Sequence, residues 1–349
     1  MGETMKFSKL ISVLMLGMVV VLTSWGSMAH AAKFVIRYSH GMPEKMVSDQ
    51  HAGAVVFKEM VEAGSKGEIE VRILGANTGG NERQQLEKVQ NGINQMANVS
   101  EGTQHSFFRP ALVIGMPFLF SSQAVAWEVF DGPFGKKYSA AFLKATGVRI
   151  LGFHDSGFRS LFNSRRPIRT PKDMAGLKMR TMQNPAHMAM MKGLGANPTP
   201  IAWTEVYTSL QQKVVDGMEN PPGLFYLMKF YEHQKYLTVD KHLFSLHTTM
   251  INEKFFQSLP QKYQDLVLEA GRIGTVIGRG VSYLKERVAL EQLKAKGLEI
   301  YFPTPSEFIQ FRDAGRPPAI KYVRGKVGDE WVDSILDAIA IAERKLSSQ

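Results

Sequence analysis

Phe34-Val35-Ile36-Arg37-Tyr38, the run from His51 to Ala63, and Ile69-Glu70-Val71-Arg72-Ile73-Leu74 together decide the fold class. The first piece is a short β-rich run, and the third alternates apolar and polar residues as a half-buried strand does. Between them Val55, Val56, Met60 and Val61 share one helical stripe. Gly75, Gly79 and Gly80 then break the chain, and Asn81 caps a helix through Glu82 to Val89 that ends at Asn91-Gly92. Working outward, strands are expected at Val148 to Phe153, Leu177 to Arg180 and Val214 to Met218. Helices are expected at Ala186 to Leu194 and Thr204 to Gln212. A long helical stretch from Gln261 to Lys296, broken by Gly271, Gly274, Gly278 and Gly280, precedes a last helix from Asp329 to Lys345. Strands alternating with helices predict an α/β fold with largely parallel sheets.

The 349 residues exceed what one core usually serves, so two domains are expected. With no cysteine, a disulfide scaffold, a thiolate metal site and a cysteine nucleophile are excluded. Lys6 and Lys9 precede an uncharged run of 13 residues, Leu10 to Leu22, and Ala29-His30-Ala31 supplies a small-x-small site. This is the layout of a secretory signal peptide over 1–31, cleaved after Ala31, whether translation starts at Met1 or Met5. The apolar run is short for a membrane span, which needs about 20 residues. The formal net charge of +10 becomes +9 once 1–31 is removed, and an exported basic protein is expected to meet anions rather than nucleic acid.

Motifs for chemistry are missing. The chain has no Gly-x-Ser-x-Gly elbow, His-Glu-x-x-His helix, phosphate loop or dinucleotide fingerprint. His154-Asp155-Ser156 contains the residue types of a catalytic triad, but adjacency in sequence is not the arrangement a triad needs. Met188, Met190 and Met191 read as core filler of their helix. No catalytic residue, metal or cofactor is expected.

The charge has one concentration. Arg159, Arg165, Arg166, Arg169, Lys172, Lys178 and Arg180 fall within 22 residues that hold a single acid, Asp173. Four of them, Arg165, Arg166, Arg169 and Lys172, sit among Ser, Pro and Thr and read as solvated surface. Arg159 and Arg180 lie in or at the end of apolar β-runs. Ligands of open α/β sheets bind beyond the carboxyl ends of strands, and a guanidinium there matches an oxyanion with two parallel hydrogen bonds. An internal salt bridge is the competing reading.

The blocks Gly176 to Met182, Pro198 to Trp203, Glu205 to Gln212, Val215 to Pro221 and Lys229 to Leu237 resemble the solute-binding proteins of TRAP transporters, the DctP family. The resemblance implies a two-lobed periplasmic-binding-protein architecture, with a long helix spanning both lobes and a ligand cleft between them. The lobes would be 32–156 plus 245–285 and 157–244 plus 286–349. It further implies a monomeric periplasmic receptor that captures a small organic acid anion, carboxylate or sulfonate, and hands it to TRAP membrane subunits. Arg180 and Arg159 would hold the acid, Asn220 would donate to it, and Trp203 would cover the apolar part of the ligand. His40, Glu82 and Glu101 would face ligand hydroxyls. A receptor for another uptake or sensing system, and an exported enzyme acting on an organic acid, are the alternative readings.

Overall fold

The computed structural model describes residues 32–348, so the expected signal peptide lies outside the described residues. In chain order the strands are β1 (Phe34–His40), β2 (Ile69–Leu74), β3 (Met96–Ser100), β4 (Val148–Asn163), β5 (Lys178–Thr181), β6 (Asn197–Pro200), β7 (Gly217–Asn220), β8 (Tyr236–Asn252) and β9 (Glu299–Tyr301). The helices of the first part are α1 (Asp49–Gly64), α2 (Glu82–Gln90), α3 (Glu101–Gln104), α4 (Gln123–Asp131) and α5 (Pro133–Thr146). They are followed by α6 (Pro185–Gly193), α7 (Val206–Gln211), α8 (Pro222–Leu227), α9 (Glu253–Ser258), α10 (Gln261–Ala295), α11 (Pro305–Val327) and α12 (Asp329–Ser347).

Two long antiparallel strands, β4 and β8, organise everything else. The first half of β4 pairs with the last half of β8, and β8 continues to β3, β1 and β2. The second half of β4 pairs with β7, which leads through β5 to β6, while the start of β8 takes β9 as a parallel neighbour. One continuous ladder thus carries two half-sheets whose other strands are mainly parallel. The β4–β8 register shifts three times, at Ile150/Gly152, Asp155/Phe158 and Arg159/Leu161, and the last two lie where the strands pass from one half to the other. Bulges bend a strand and increase its twist, which turns the half-sheets relative to each other.

Separate cores confirm two lobes. Ile36, Phe57, Val71 and Val267 belong to one cluster on the first half-sheet, and Phe162, Leu210, Phe225 and Leu293 to one on the second. Helix α10 contributes to both and therefore spans the lobes. Its glycines do not break it, contrary to expectation. Two of them allow close contact instead: a Cβ on Gly274 would lie 2.7 Å from the Gly53 carbonyl oxygen of α1, and one on Gly271 would lie 2.9 Å from Leu151.

Three further expectations are corrected. Helix α11 was not anticipated, because Pro317 and Pro318 interrupt its pattern, yet it runs through both from an N-cap at Thr304. The assignment of 286–349 to the second lobe fails for α12, whose Val332, Ile335 and Ile339 pack in the cluster of Phe130, Phe134 and Tyr138 from α4 and α5. The strand placed at Val214 to Met218 is β7, three residues later, which makes Asn220 its final residue.

Candidate functional site

Arg159, Arg180 and Asn220 stand on three adjacent strands, β4, β5 and β7, at the border of the two lobes. Asn220 pairs in register with Ser160, and Arg180 with Met218, so backbone ladders fix their separation. Arg180 lies at the carboxyl end of β5, as expected, and Asn220 at that of the parallel β7. Arg159 does not: it sits within β4, between two register shifts.

The arginines do different jobs. Arg159, 3% exposed, is fully engaged inside the protein. Its Nε and Nη2 donate to the Glu219 carboxylate, Nη2 also donates to the Glu219 main-chain oxygen at 2.7 Å, and Nη1 donates to Ser245 Oγ at 3.1 Å. Burial opposes the Glu219 charge, but Arg159 and His242 outweigh it and hold the carboxyl well below the usual range. His242 lies 3.7 Å from Glu219 and 2.9 Å from Asp240. Although burial disfavours its charged ring, Asp240 and Glu219 raise its pKa to about 9. For Arg159, the internal salt bridge that competed with ligand binding is present.

Arg180 is 2% exposed, and among the described residues no carboxylate lies within ion-pair distance of it. Nε and Nη2 both donate to the Ile201 carbonyl, at 3.0 and 2.8 Å, while Nη1 has no partner. Burial lowers its pKa to about 10, only partly offset by Glu219, so the group remains cationic at neutral pH. The Trp203 ring lies 5.9 Å from the guanidinium carbon, within cation–π range. Asn220 is buried with neither amide nitrogen nor amide oxygen bonded.

These residues line a cleft together with Glu82, Ser100, Thr103, Met182, Gln183 and Leu224. Glu82 follows the Asn81 cap at the start of α2, and its carboxylate accepts from Ser100 N, Ser100 Oγ and Thr103 Oγ1 at 3.0, 2.6 and 3.1 Å. Two expected contacts lie elsewhere. His40 is buried against His51, 3.2 Å from Nε2 to Nδ1, and burial lowers its pKa to about 4. Glu101 is buried behind the cleft wall with neither oxygen bonded, 3.8 Å from His187, and burial raises its pKa to about 8. Neither residue lines the cleft.

Sequence reasoning missed Glu219, His242, Met182 and Gln183. Glu219 carried a signal, an acid inside a short apolar strand on the same lobe as two arginines. The loop residues Met182 and Gln183 carried none. The His154-Asp155-Ser156 side chains diverge: Ser156 Oγ donates to Asp49 at 2.7 Å, while Asp155 accepts from Trp127 and Gln123, both at 2.9 Å. No triad forms there.

The family described as DctP, bacterial extracellular solute-binding protein family 7, matches residues 39–324. The chain belongs to the DctP family. Its cleft residues Glu82, Arg159, Arg180, Trp203 and Asn220 all fall inside the DctP match. Among characterised relatives, the 2,3-diketo-L-gulonate-binding periplasmic protein YiaO of Escherichia coli is 31% identical over 262 residues, 74% of this chain and 79% of that protein. The sugar acid binding protein DctPAm of Advenella mimigardefordensis, solved with galactonate, is similar with a TM-score of 0.84 at 32% identity, covering 88% of this chain and 98% of that one. A TRAP periplasmic solute-binding protein of Sulfurospirillum deleyianum with bound succinate is similar at 26% identity and a TM-score of 0.82, covering 87% and 98%. The DctP architecture thus holds both hydroxylated and unsubstituted acids.

Proposed function

We propose that this DctP-family protein is an exported receptor, a monomer that captures a small organic acid anion between its lobes and delivers it to TRAP-type membrane subunits without altering it. The observation that carries the reading is Arg180: a buried cation with one unbonded nitrogen and no carboxylate partner, beside an unbonded Asn220 amide. An uncompensated buried charge is costly, and an oxyanion in the cleft supplies the missing partner.

In this reading Arg180 and Asn220 bind the acid, Trp203 covers the ligand's apolar face, and Arg159 anchors Glu219 while lending its positive field. One lobe comprises 32–156, 245–285, the end of α11 from Ile320 and α12, and the other 157–244 with 286–319. The β4 and β8 bulges form the hinge. A ligand drives closure only through contacts it gains in the closed state, here the first-lobe wall around Glu82. The signal peptide is removed after Ala31 and the mature protein works in the periplasm, with no cofactor and no nucleic acid.

A thermal-shift screen of the purified mature protein over mono- and dicarboxylates, sugar acids and small sulfonates tests the reading, because a tight ligand stabilises the fold by mass action. At least one acid is expected to raise the melting temperature and to be recovered unchanged by mass spectrometry. A screen with no response, or recovery of a converted acid, would overturn it.

A further inference from the structure

In the first lobe the segment Met116-Pro117-Phe118-Leu119-Phe120 precedes α4. Met116, Leu119 and Phe120 are buried in the first-lobe cluster of Phe130 and Phe134. Phe118 is turned the other way by a left-handed backbone, with φ at +52°. A bulky side chain is rare in that region and stays there only where its surroundings over-determine it. Those surroundings belong to the second lobe. The Phe118 ring packs against the cluster of Leu161, Ile168 and Phe311, and its centroid lies 5.5 Å from that of Phe308 on α11 at an interplanar angle of 82°. Edge-to-face contact of this kind is favoured between aromatic rings. The Phe118 backbone N–H donates to the His242 carbonyl at 2.6 Å.

His242 ends the largest irregularity of the β4–β8 ladder. Between the pairs Arg159–Leu243 and Leu161–Thr238, β4 advances two residues and β8 five, so residues 239–242 leave the ladder. This bulge holds a second left-handed residue, Lys241 at +48°. It lies where the lobes join, and hinges bend by changing the dihedral angles of a few such residues. From the bulge the contacts run inward: the His242 ring bonds Asp240 at 2.9 Å and lies 3.7 Å from Glu219, which Arg159 holds. Phe118 thus grips the second lobe both at its hinge and on α11. Phe308 is 37% exposed, so the ring contact can part into water without emptying a core. The lobes meet in this structure, Glu101 of the first lying 3.8 Å from His187 of the second, so the Phe118 contacts belong to the closed arrangement.

We propose that Phe118 is a latch for lobe closure. Its ring and its N–H tie the first lobe to Phe308 and to the β8 bulge when the lobes are together, and they release both when the lobes part. The latch adds contacts to the closed state that no ligand supplies, so it sets how tightly a ligand is held without touching it. This role rests on the receptor reading above, in which closure is the capture step.

Pulsed electron paramagnetic resonance between spin labels at Glu59→Cys on α1 and Thr208→Cys on α7 tests this, since both sites are exposed and the chain has no cysteine of its own. Distances are measured without acid and with D-gluconate or succinate, and affinities for the two acids by calorimetry on the unlabelled protein. Phe118→Ala and Phe308→Ala are each expected to lower the closed population relative to the open one, or the affinity for an acid that binds, by about three- to tenfold, the scale of one aromatic pair. The double variant is expected to lose no more than either single one, because both remove the same contact. A lower melting temperature with unchanged distances and affinities would overturn the latch and leave Phe118 a packing residue. Fully additive losses would overturn it too, by separating Phe118 from Phe308. If Phe118→Ala does not fold, Phe308→Ala decides alone. If neither acid binds, the distances without acid decide the latch, and only failure of the wider screen counts against the receptor.

Discussion

On the second-lobe side of the cleft, Arg159, Arg180 and Asn220 project from adjacent strands and are buried to within 3% exposure. On the first-lobe side, Glu82, Ser100 and Thr103 come from the start of α2 and the β3–α3 junction, and Glu82 is half-buried. The first wall is fixed by backbone ladders whether or not a ligand is bound. The second is held by side chains bonding one another. A charge that must wait in a dry site for its partner needs the rigid support, because a misplaced guanidinium would keep its desolvation cost without the compensating bonds. Groups that read hydroxyls tolerate looser support, since each contributes less.

The largest expected effect tests how rigid the strand wall is. Arg159→Met removes the cation from a buried cluster in which Glu219 and Asp240 already share His242. Breaking a buried pair by deleting one member typically costs 3–5 kcal/mol, roughly the loss expected here in the unfolding free energy measured with urea. A loss below about 1 kcal/mol would mean that Glu219 is not held as described, because a buried carboxylate stripped of its partner is seldom so cheap.

Arg180→Lys should behave in the opposite way. The ammonium keeps the charge but loses the planar fork, so ligand affinity should fall by roughly 1.5–3 kcal/mol, the scale of a charge-assisted hydrogen bond. Stability without ligand should change far less than in Arg159→Met, because Arg180 bonds only one carbonyl, that of Ile201. Calorimetry showing unchanged affinity would remove Arg180 from the site.

The same contrast explains what could be read from the sequence. Arg180 stood out because a short strand has little choice of position: an arginine at the end of Leu177-Lys178-Met179-Arg180 must emerge near the strand's carboxyl end, whereas Asn220 was named only through the family resemblance, the strand before it being expected to end at Met218. Arg159 was found, but not its place in mid-strand, because β4 reads as two separate apolar runs and only the pairing with β8 joins them into 16 residues. The start of α2 was legible from its Asn81 cap, but Glu82, like His40 and Glu101, was named through the family resemblance, and His40 and Glu101 do not line the cleft. Both follow the right strands, but which side of a strand end faces the cleft depends on lobe packing, and that is set by residues far apart in sequence. Helix α11 was hidden for a local reason, two prolines that tertiary packing against α6 overrides.

A smaller effect concerns pH, through groups behind the strand wall. Burial raises the pKa values of Glu101 and Glu286 from 4.5 to about 8, so folding takes up protons at pH values in between and the stability they give is lost as pH rises through that window. His242, raised from 6.5 to about 9 against its burial by Asp240 and Glu219, acts in the same direction above pH 6.5. His40 and His154, lowered by burial to about 4, and His187 and His247, lowered to about 3, act in the opposite direction, but only below pH 6.5. Between about pH 6.5 and 8 the first set acts alone, so stability to urea should decline. Glu101→Gln, which cannot ionise, should lessen that slope by up to about 1.4 kcal/mol per pH unit, the equivalent of one proton. A flat or rising profile in the unmodified protein would show that these groups are not dry.

The smallest effect lies at the exposed rim of the looser wall. Arg83 lines the cleft mouth, but its side chain is 62% exposed and bonds Glu87 one helical turn away. Exposed pairs at this spacing contribute about 0.3–0.5 kcal/mol, because water screens the charges and two long side chains must be held in one arrangement. Arg83→Ala should therefore cost no more than that in stability and change acid affinity by about twofold or less. A larger loss of affinity would place Arg83 on the ligand itself, giving the first-lobe wall a cation of its own.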